Sequence, residues 1–334
     1  MDDRPIAIRK ALRKAAGAGS TEWWKIREAT PVISSSDEEE EDDEDSEAAN
    51  NIIGEAEPAT WKEAMSSSHA EQWRDAALEE MKGHQSNGTW ELVELPPGEK
   101  AIGSKWIFKI KRKGDGSIEW FKAQIVAQGF SQRPGFDYLE TYASTLRPAT
   151  IRLILAIAAI EDLHLHSVDI SQAFVQSDID TLIYVRQADG FQVNGPKWVW
   201  RLNKSLYGLK QSPRLFGKKL ADVMRKMGCT QLHSDPCVHI WERDGIKIFV
   251  PVFVDDITLA SRSQEAQDAF VAELATHFKL CDLGPTSLLL GIDITRDRPN
   301  QKLYLSQCQY IINKLAEFGM TDCKPVGTPM TPGL

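Results

Sequence analysis

Two adjacent aspartates, Asp255 and Asp256, interrupt a segment that is otherwise typical of buried β-strands. Residues 246–254 before them and residues 257–260 after them are apolar or β-forming. This pattern predicts two buried antiparallel strands joined by a tight hairpin, with both carboxylates at its tip. Any fold that contains this hairpin must cover two apolar strands and compensate two neighbouring negative charges.

A third aspartate, Asp169, lies near the end of another apolar segment, residues 163–170. An aspartate at a strand end is usually a turn residue, and that interpretation stays open for all three carboxylates. The alternative is a metal site, because carboxylates held close together repel one another unless a cation neutralises them. Oxygen ligands without a Cys/His cluster favour Mg²⁺ or Mn²⁺ over zinc. Two such ions about 4 Å apart can catalyse phosphoryl transfer.

The net charge of −9 comes largely from one segment. Ten acidic residues lie within residues 37–47, and 48 acidic residues minus these ten leaves 38 against 39 basic ones. A block of like charge this dense cannot bury a core. Residues 1–56 are therefore predicted to be a disordered acidic segment that serves either as a solvated linker or as an interaction segment.

Basic residues gather in two other segments. Residues 100–133 contain eight basic and two acidic residues, and residues 197–226 contain nine basic residues and one acidic one. The first segment also carries aromatic residues in a predicted hairpin. Basic and aromatic side chains together suit nucleic-acid binding, whereas the alternative is a hairpin whose lysines only provide solubility.

Periodicity and turn residues predict an α+β fold. Ser212 is predicted to cap the third of the expected helices, with Pro213 at its first position. The predicted helices cover residues 71–82, 149–161, 212–227, 264–278 and 307–318. The predicted strands cover residues 103–110, 117–126, 163–170, 238–243, 246–254, 257–260, 288–294 and 302–305.

Nothing in the sequence indicates a membrane or a secreted protein. The longest apolar run, residues 153–160, is eight residues, whereas a spanning helix needs about 20. The start of the chain lacks the apolar region of a secretory signal. Five scattered cysteines suggest free thiols in a reducing compartment, so we expect the cytoplasm or the nucleus.

Seven blocks, in a fixed order, resemble the reverse transcriptase domain of copia-type LTR retrotransposons from about residue 61 to the C-terminus. A Phe-X-Asp-Asp match is weak alone, but seven ordered blocks are specific. They are Asn-Gly-Thr-Trp-Glu-Leu-Val at 87–93, Lys-Trp-Ile-Phe-Lys at 105–109, Ala-Gln-Gly-Phe-Ser-Gln at 127–132, Val-Asp-Ile-Ser-Gln-Ala-Phe at 168–174, Ser-Leu-Tyr-Gly-Leu-Lys-Gln-Ser-Pro-Arg at 205–214, Phe-Val-Asp-Asp at 253–256 and Pro-Val-Gly-Thr-Pro-Met at 325–330.

The resemblance implies a role for individual residues. Asp169, Asp255 and Asp256 would be the catalytic aspartates and would hold Mg²⁺, or Mn²⁺, while a primer 3′-hydroxyl attacks a deoxynucleoside triphosphate. Phe174 would be the steric gate that excludes a ribose 2′-hydroxyl, although a core aromatic is the alternative. The remaining nucleotide-binding residues would be Ile170 (through its backbone), Lys122, Tyr207, Gly208 and Gln211. Leu290 and Gly291 would belong to the primer grip.

The resemblance also implies a right-hand polymerase. The fingers would comprise residues 57–150 and an interleaved segment at about 181–205, the palm residues 151–295 with an antiparallel sheet, and the start of the thumb residues 296–334, truncated before any RNase H domain. The implied partners are an RNA or DNA template with its primer, deoxynucleotides, and other Pol polyprotein domains such as integrase and RNase H.

Two departures from the family pattern bear on activity. Gln124 stands where a basic residue would contact the triphosphate, and an amide cannot replace that charge, although Lys122 on the same strand face could. Cys281 stands where the family carries Lys or Arg, although Lys279 lies nearby. The alternative function is therefore a catalytically degenerate retrotransposon remnant that folds and binds nucleic acid without polymerising.

Overall fold

The computed structural model describes residues 57–112, 117–325 and 327. The predicted acidic segment and the tip of the basic hairpin, residues 113–116, lie outside these residues, as does most of the block at 325–330. The α-helices of the described part are α1 (Trp61–Ser66), α2 (Ala70–Ser86), α3 (Pro148–Ile160), α4 (Ser212–Lys226), α5 (Gln264–Ala275) and α6 (Cys308–Glu317).

The β-strands follow the same chain order. They are β1 (Trp90–Glu94), β2 (Ala101–Ile102), β3 (Ser104–Arg112), β4 (Ile118–Ala127), β5 (His164–Ile170), β6 (Tyr184–Arg186), β7 (Trp198–Leu202), β8 (Thr230–Gln231), β9 (Val238–Arg243), β10 (Ile246–Phe253), β11 (Asp256–Ser261), β12 (Leu280–Pro285), β13 (Leu288–Leu289), β14 (Ile292–Asp297) and β15 (Lys302–Ser306). Short 3₁₀ turns cover Gly129–Ser131 and Ala173–Gln176.

A six-stranded antiparallel sheet with the order β12-β5-β11-β10-β9-β8 lies at the centre. On one face, Phe216 of α4 and Phe270 of α5 pack in a core with Val168 of β5. On the other face, Leu165 of β5 packs with Ile154 of α3. Because side chains alternate along a strand, Asp169 shares the α3 face with Leu165.

A second core joins two distant parts of the chain. It contains residues between 61 and 127 together with residues between 175 and 209. Its four-stranded sheet has the order β1-β7-β6-β2, in which only β2 and β6 are parallel. The indole rings of Trp90 and Trp200 stack across this sheet with their centroids 4.1 Å apart. The β3–β4 hairpin packs on α2, where Trp73 meets the Phe121 ring edge-on at 4.6 Å.

The predicted α+β class is confirmed at the level of helices mixed with mainly antiparallel sheets. The predicted cap of α4 is wrong, since Gln211 is the N-cap and Ser212 is the first helical residue. The Ser212 hydroxyl instead donates to the carbonyl of Leu206 at 2.6 Å and accepts from Ser205 at 2.6 Å. This serine is fully buried, so its hydroxyl satisfies the loop before the helix rather than the helix terminus.

The last described elements are more exposed. Strands β13, β14 and β15 form a three-stranded sheet, and α6 has no buried residue. Among the residues that the structure describes, no helix has both the length and the apolarity needed to cross a bilayer.

Candidate active site

The predicted hairpin between β10 and β11 is present, but its turn lies one residue earlier than the sequence predicts. Phe253 pairs with Asp256, which leaves Val254 and Asp255 as a two-residue turn. Val254 has a φ of 58°, and positive φ at the first central position alone corresponds to a type II′ turn. This conformation is strained for a β-branched residue. Asp255 in the turn and Asp256 at the start of β11 are therefore presented at the cost of local backbone strain.

Asp169 lies directly opposite Asp256 on the neighbouring strand. Directly opposed residues of an antiparallel pair have Cβ atoms about 5 Å apart and point to the same face. The backbone N–H of Ile170 donates to the carbonyl of Asp255 at 2.9 Å. The Ile170 side chain is buried in the core between the sheet and helices α4 and α5, so only its backbone is directed at the turn. Strand pairing and this hydrogen bond bring all three aspartates to one end of the sheet.

Burial and neighbouring charges change the ionisation of Asp169 and Asp256. Burial, and next the charge of Asp255, raises the pKa of Asp169, while the positive charge of Lys122 opposes this shift. Burial, followed by the charges of Asp255 and Asp169, raises the pKa of Asp256. These directions indicate negative charge that the surrounding protein does not fully compensate.

A divalent cation would fit this excess of negative charge. The donors are hard carboxylate oxygens, which Mg²⁺ and Mn²⁺ prefer. Within residues 57–112, 117–325 and 327, no three His, Cys, Asp or Glu side chains already converge as a ready-made ligand set. Strand pairing therefore brings the aspartates to one end of the sheet without arranging their side chains as a common ligand set, and a shared ligand geometry stays a prediction.

Phe174 lies five residues after Asp169 in the 3₁₀ turn, against the ring of Tyr207. Their centroids are 4.5 Å apart, and the Phe216 ring meets Phe174 edge-on at 6.1 Å. Burial, and then the charge of Asp255, raises the pKa of the Tyr207 hydroxyl well above its usual value. The Tyr207 hydroxyl thus lies within electrostatic reach of Asp255 and Asp169. Phe174 and Tyr207 together form an aromatic wall, in which Phe174 also packs against the core that contains Phe216.

Gly208 allows two backbone segments to touch next to this wall. It has a φ of 88°, and a Cβ on it would come within 2.1 Å of the Ala127 carbonyl oxygen. The Ala127 N–H also donates to the Tyr207 carbonyl at 2.7 Å. Glycine is therefore required here both by conformation and by space, and the contact joins the end of β4 to the Tyr207 segment.

Lys122 and Gln124 lie on the same face of β4, opposite the face that packs on α2. Lys122 is exposed, and its charge acts on Asp169. Gln124 pairs with Ile107 in the ladder and is half-buried. The structure therefore brings the predicted substitute cation into electrostatic reach of the aspartates.

The Gln211 side chain lies in a buried hydrogen-bond network. It is 1% exposed, its amide donates to the carbonyl of Asp137 at 3.0 Å and to the Thr181 hydroxyl at 3.1 Å, and it accepts from Gln132 at 3.0 Å. Its predicted contact with a nucleotide stays untested, and these bonds give it a structural task in holding the 132–137 loop.

The predicted primer-grip residues form the turn between β13 and β14. Leu290 and Gly291 both have positive φ, 49° and 74°, as in a type I′ turn. A cavity of about 290 Å³ extends from this turn to Asp256. On the other side of Asp169, the exposed Cys281 of β12 is its direct partner in the ladder.

Sequence reasoning missed one side chain at this junction, Glu80 of α2. Its charge acts on Tyr207, and its side chain is 10% exposed. The available signal was an acidic residue on the helix face that also carries Ala77 and Met81, because a carboxylate on an apolar face requires partners. Its partner Gln172 lies in the block at 168–174, where the family resemblance implies no role for it.

Comparisons with known proteins identify the family of this chain. A family model described as "Reverse transcriptase (RNA-dependent DNA polymerase)" matches residues 87–332. The retrovirus-related Pol polyprotein from transposon TNT 1-94 of Nicotiana tabacum is 38% identical over 281 residues, which cover 84% of this chain and 21% of the relative.

Two further relatives are also Pol polyproteins. The one from transposon RE1 of Arabidopsis thaliana is 34% identical over 286 residues, covering 85% of this chain and 19% of the relative. The transposon Ty1-OR Gag-Pol polyprotein of Saccharomyces cerevisiae is 26% identical over 268 residues, covering 77% and 14% respectively. The chain thus spans about a fifth or less of the length of these relatives.

Proposed function

Because the chain belongs to the reverse transcriptase (RNA-dependent DNA polymerase) family, as a copia-type retrotransposon domain, we propose that it adds deoxynucleotides to a primer 3′-hydroxyl on an RNA or DNA template. The observation that carries this proposal is the pairing of Asp169 with Asp256, with Asp255 tied to β5 through the Ile170 N–H. This arrangement supports a nucleotidyltransferase.

Asp169, Asp255 and Asp256 are the residues that would hold divalent ions. Two Mg²⁺ ions, or Mn²⁺ ions, supply positive charge that activates the primer hydroxyl and neutralises the departing pyrophosphate. The chain itself contributes rigidity, because two strands and the turn between them fix the carboxylates before substrate arrives. The backbone carbonyl of Ile170 is proposed as an additional oxygen ligand.

The incoming nucleotide is proposed to lie against the Phe174–Tyr207 wall. Phe174 would exclude a ribose 2′-hydroxyl by contact with the sugar. Lys122 would approach the triphosphate, which its exposure and its action on Asp169 support. Gly208 would allow the backbone beneath the base to approach closely, and Gln211 would support this segment from below.

The primer end is proposed to occupy the cavity between Asp256 and the turn at Leu290 and Gly291.

The proposed subdomains follow the order of the chain. Residues 57–150 and about 181–205 form the fingers, residues 151–295 form the palm, and residues 296–334 begin a thumb. The core shared by residues 61–127 and 175–209 supports the interleaving. Integrase and RNase H domains of a Pol polyprotein are the proposed neighbours, in the cytoplasm or nucleus.

The test is extension of oligo(dT) on poly(rA) by the purified chain with dTTP and Mg²⁺ or Mn²⁺. We expect extension by the wild type and its loss, by about a thousandfold or more, in Asp255→Asn. Asp244→Asn is the matched control, since Asp244 occupies the hairpin turn at the other end of β10. Absence of extension at every concentration of either ion contradicts the proposal.

Gln124 and Cys281 favour a second function, a remnant that binds primer–template duplex without polymerising. In that case the double variant Gln124→Arg with Cys281→Lys gains activity that the unaltered chain lacks, while both bind the duplex equally. Full activity of the unaltered chain contradicts this second function. Duplex binding is measured by fluorescence anisotropy of a labelled primer.

A further inference from the structure

Gln172 follows the strand that carries Asp169 in an unusual conformation. Its φ and ψ are 50° and 48°, the left-handed region that side-chain-bearing residues rarely adopt. It precedes Phe174 by two residues and begins the 3₁₀ turn. The direction of the backbone between Asp169 and Phe174 therefore depends on whatever keeps Gln172 in this conformation.

The Gln172 side chain is held by helix α2. Its Nε2 donates to Glu80 Oε2 at 2.8 Å, and its Oε1 accepts from Asn87 Nδ2 at 3.1 Å. Glu80 is fixed in turn, since its Oε1 accepts from the backbone N–H of Ile125 at 3.2 Å and contacts His84 Nε2 at 3.2 Å. One largely buried carboxylate thus links α2, β4 and the segment after β5.

Charge also favours this arrangement. Burial alone would raise the pKa of Glu80, but hydrogen bonds with His84 and Gln172 and the bond from the Ile125 N–H lower it below its usual value. Glu80 therefore accepts these bonds as an anion, and bonds to an ionised acceptor are stronger than neutral ones.

Gly83 provides the room for the Gln172 amide. A Cβ on Gly83 would lie 2.7 Å from Gln172 Nε2 and 2.8 Å from Gln172 Oε1. Residues 80, 83 and 87 fall on one face of a helix, so they form a slot whose floor is a glycine and whose ends are a carboxylate and an amide. Glycine in a helix interior lowers helix stability relative to alanine, which indicates a packing reason for Gly83.

We propose that this slot of Glu80, Gly83 and Asn87 is a positioning site for nucleotide selection, because by holding Gln172 it fixes the place of the Phe174 ring. The proposal rests on the proposed polymerase function. Asp169 does not depend on the slot in the same way, since its strand β5 is paired with both β11 and β12. Releasing Gln172 therefore changes substrate fit and sugar selection more than the chemical step.

Gly83→Ala is the sharpest variant, because one methyl group fills the slot and removes no polar partner. Gly217→Ala is its matched control, since Gly217 is an exposed interior residue of α4 with nothing within 4 Å of an added Cβ. Alanine favours the helix in both variants. Because displaced Gln172 also loses its bonds to Glu80 and Asn87, only Gly217→Ala is expected to melt at or above the wild-type temperature.

The kinetic readout is kcat and KM for dTTP and for UTP on oligo(dT)·poly(rA). In Gly83→Ala we expect the KM for dTTP to rise about tenfold with kcat within about twofold, since small misplacements lower catalytic efficiency by such factors. The preference for dTTP over UTP falls as well, and Gly217→Ala keeps both values. Unchanged KM and sugar preference in a folded Gly83→Ala protein overturn the proposal.

Gln172→Ala provides a second route if Gly83→Ala does not fold. It is expected to reproduce the KM and selectivity changes, and combining it with Gly83→Ala adds no further change because both remove the same contact. Additive effects in the double variant overturn the proposal.

A readout that is independent of catalysis separates this proposal from the polymerase function. With 4-fluorophenylalanine at position 174, the ¹⁹F resonance is expected to shift in Gly83→Ala and to stay in place in Gly217→Ala. If the wild type does not polymerise, the proposed function fails, but this comparison still shows whether the slot fixes the position of the Phe174 ring. An unshifted resonance in both variants overturns the proposal.

Discussion

At the residue scale, the imidazole of His239 is buried without compensation. It is 5% exposed, and neither ring nitrogen has a hydrogen-bond partner among the described residues. Burial, together with the positive charge of Arg225, lowers the pKa of His239 to about 4. The protein therefore keeps this ring neutral at neutral pH, and protonating it lowers the stability of the folded state.

His239→Leu is expected to stabilise the protein and to flatten its pH dependence. The folded pKa lies below the unfolded value of about 6.5, so the unfolded chain binds the proton first and the wild type loses stability as pH falls from about 6.5 to 4. This loss reaches about 3 kcal/mol. Leucine removes it, and by removing two unpaired ring nitrogens it also gains about 1 kcal/mol at pH 7.

Urea unfolding of both proteins between pH 4 and 7.5 measures these differences. If the free energies of unfolding of wild type and variant change equally with pH across the acidic range, His239 does not titrate as its burial requires.

Lys122→Gln is expected to shift the pH dependence of polymerisation. The charge of Lys122 opposes the raised pKa of Asp169, so its removal raises that pKa further. Because the carboxylate has to be ionised to hold a cation, the acidic limb of the pH–rate profile then moves to higher pH. Lys111→Gln, at an exposed lysine farther along the same hairpin, is the control. Superimposable profiles for all three proteins contradict this prediction.

At the element scale, the β10–β11 turn combines backbone strain at Val254 with a proposed metal ligand, Asp255. Val254→Gly is expected to raise the free energy of unfolding by about 1 kcal/mol, because glycine adopts the positive φ without strain. It is also expected to lower kcat, since a freer turn holds Asp255 less firmly.

Asp244→Gly is the control for this turn, because Asp244 also has positive φ, 53°, at the opposite end of β10. Thermal unfolding and extension assays are expected to show stabilisation in both variants and a lower kcat in Val254→Gly alone. An equal loss of kcat in both variants would mean that general loosening of the sheet, rather than the turn at Asp255, limits catalysis.

The elements that sequence predicted are those whose signals are local. The helix at 71–82 is observed as Ala70–Ser86, and the helix at 264–278 as Gln264–Ala275. The hairpin at Asp255 is also observed, with its turn one residue earlier than predicted. The sheet that pairs β1 with β7 was missed, because its strands are about a hundred residues apart and each is short. Strand β12 was missed for a related reason, since its Leu-Cys-Asp-Leu-Gly-Pro sequence is mostly exposed and lacks alternation.

At the scale of the whole molecule, charge is less free than the sequence suggests. Much of the basic segment at residues 197–226 is neutralised by ion pairs, so its count overstates what is available to phosphates. These pairs are Arg201–Glu91 at 2.6 Å, Lys204–Asp178 at 2.5 Å, Arg214–Glu140 at 2.8 Å and Arg225–Asp222 at 2.7 Å. In the β3–β4 hairpin Lys109 is likewise paired with Glu57, whereas Lys122 is exposed and acts on Asp169. Lys122 is thus the stronger candidate for phosphate contact in that hairpin.

Deleting residues 37–47 is expected to strengthen binding of primer–template duplex at low salt. Ten tethered carboxylates repel phosphates, and this repulsion is screened as ionic strength rises. Anisotropy titrations at about 0.05 M and about 0.5 M salt should show a gain of several-fold only at the lower value. A variant of equal length with the ten acidic residues replaced by Gln or Asn is expected to match the deletion. Equal affinity of wild type and both variants at low salt contradicts this expectation.

The candidate site was only partly predictable because some of its contacts join residues that are far apart in the sequence. The hairpin aspartates follow from local pattern, whereas the meeting of Asp169 with Asp256 was expected through family resemblance, and the Glu80–Gln172 contact joins residues 92 positions apart. Such a contact depends on how α2 packs against the central sheet, which no local periodicity encodes.

The interleaved core cannot be completed early in synthesis, because its residues come from two distant parts of the chain. Residues up to 127 supply Trp73, Trp90 and Ile125 to that core, but Trp200 and Leu206 complete it only after about 80 more residues. At ribosomal rates of roughly 5 to 20 residues per second, that interval lasts on the order of 4 to 16 s. During that interval the apolar side chains of the earlier residues lack the ones that cover them in the finished core, and exposed apolar surface of this kind is prone to aggregation and is what chaperones bind.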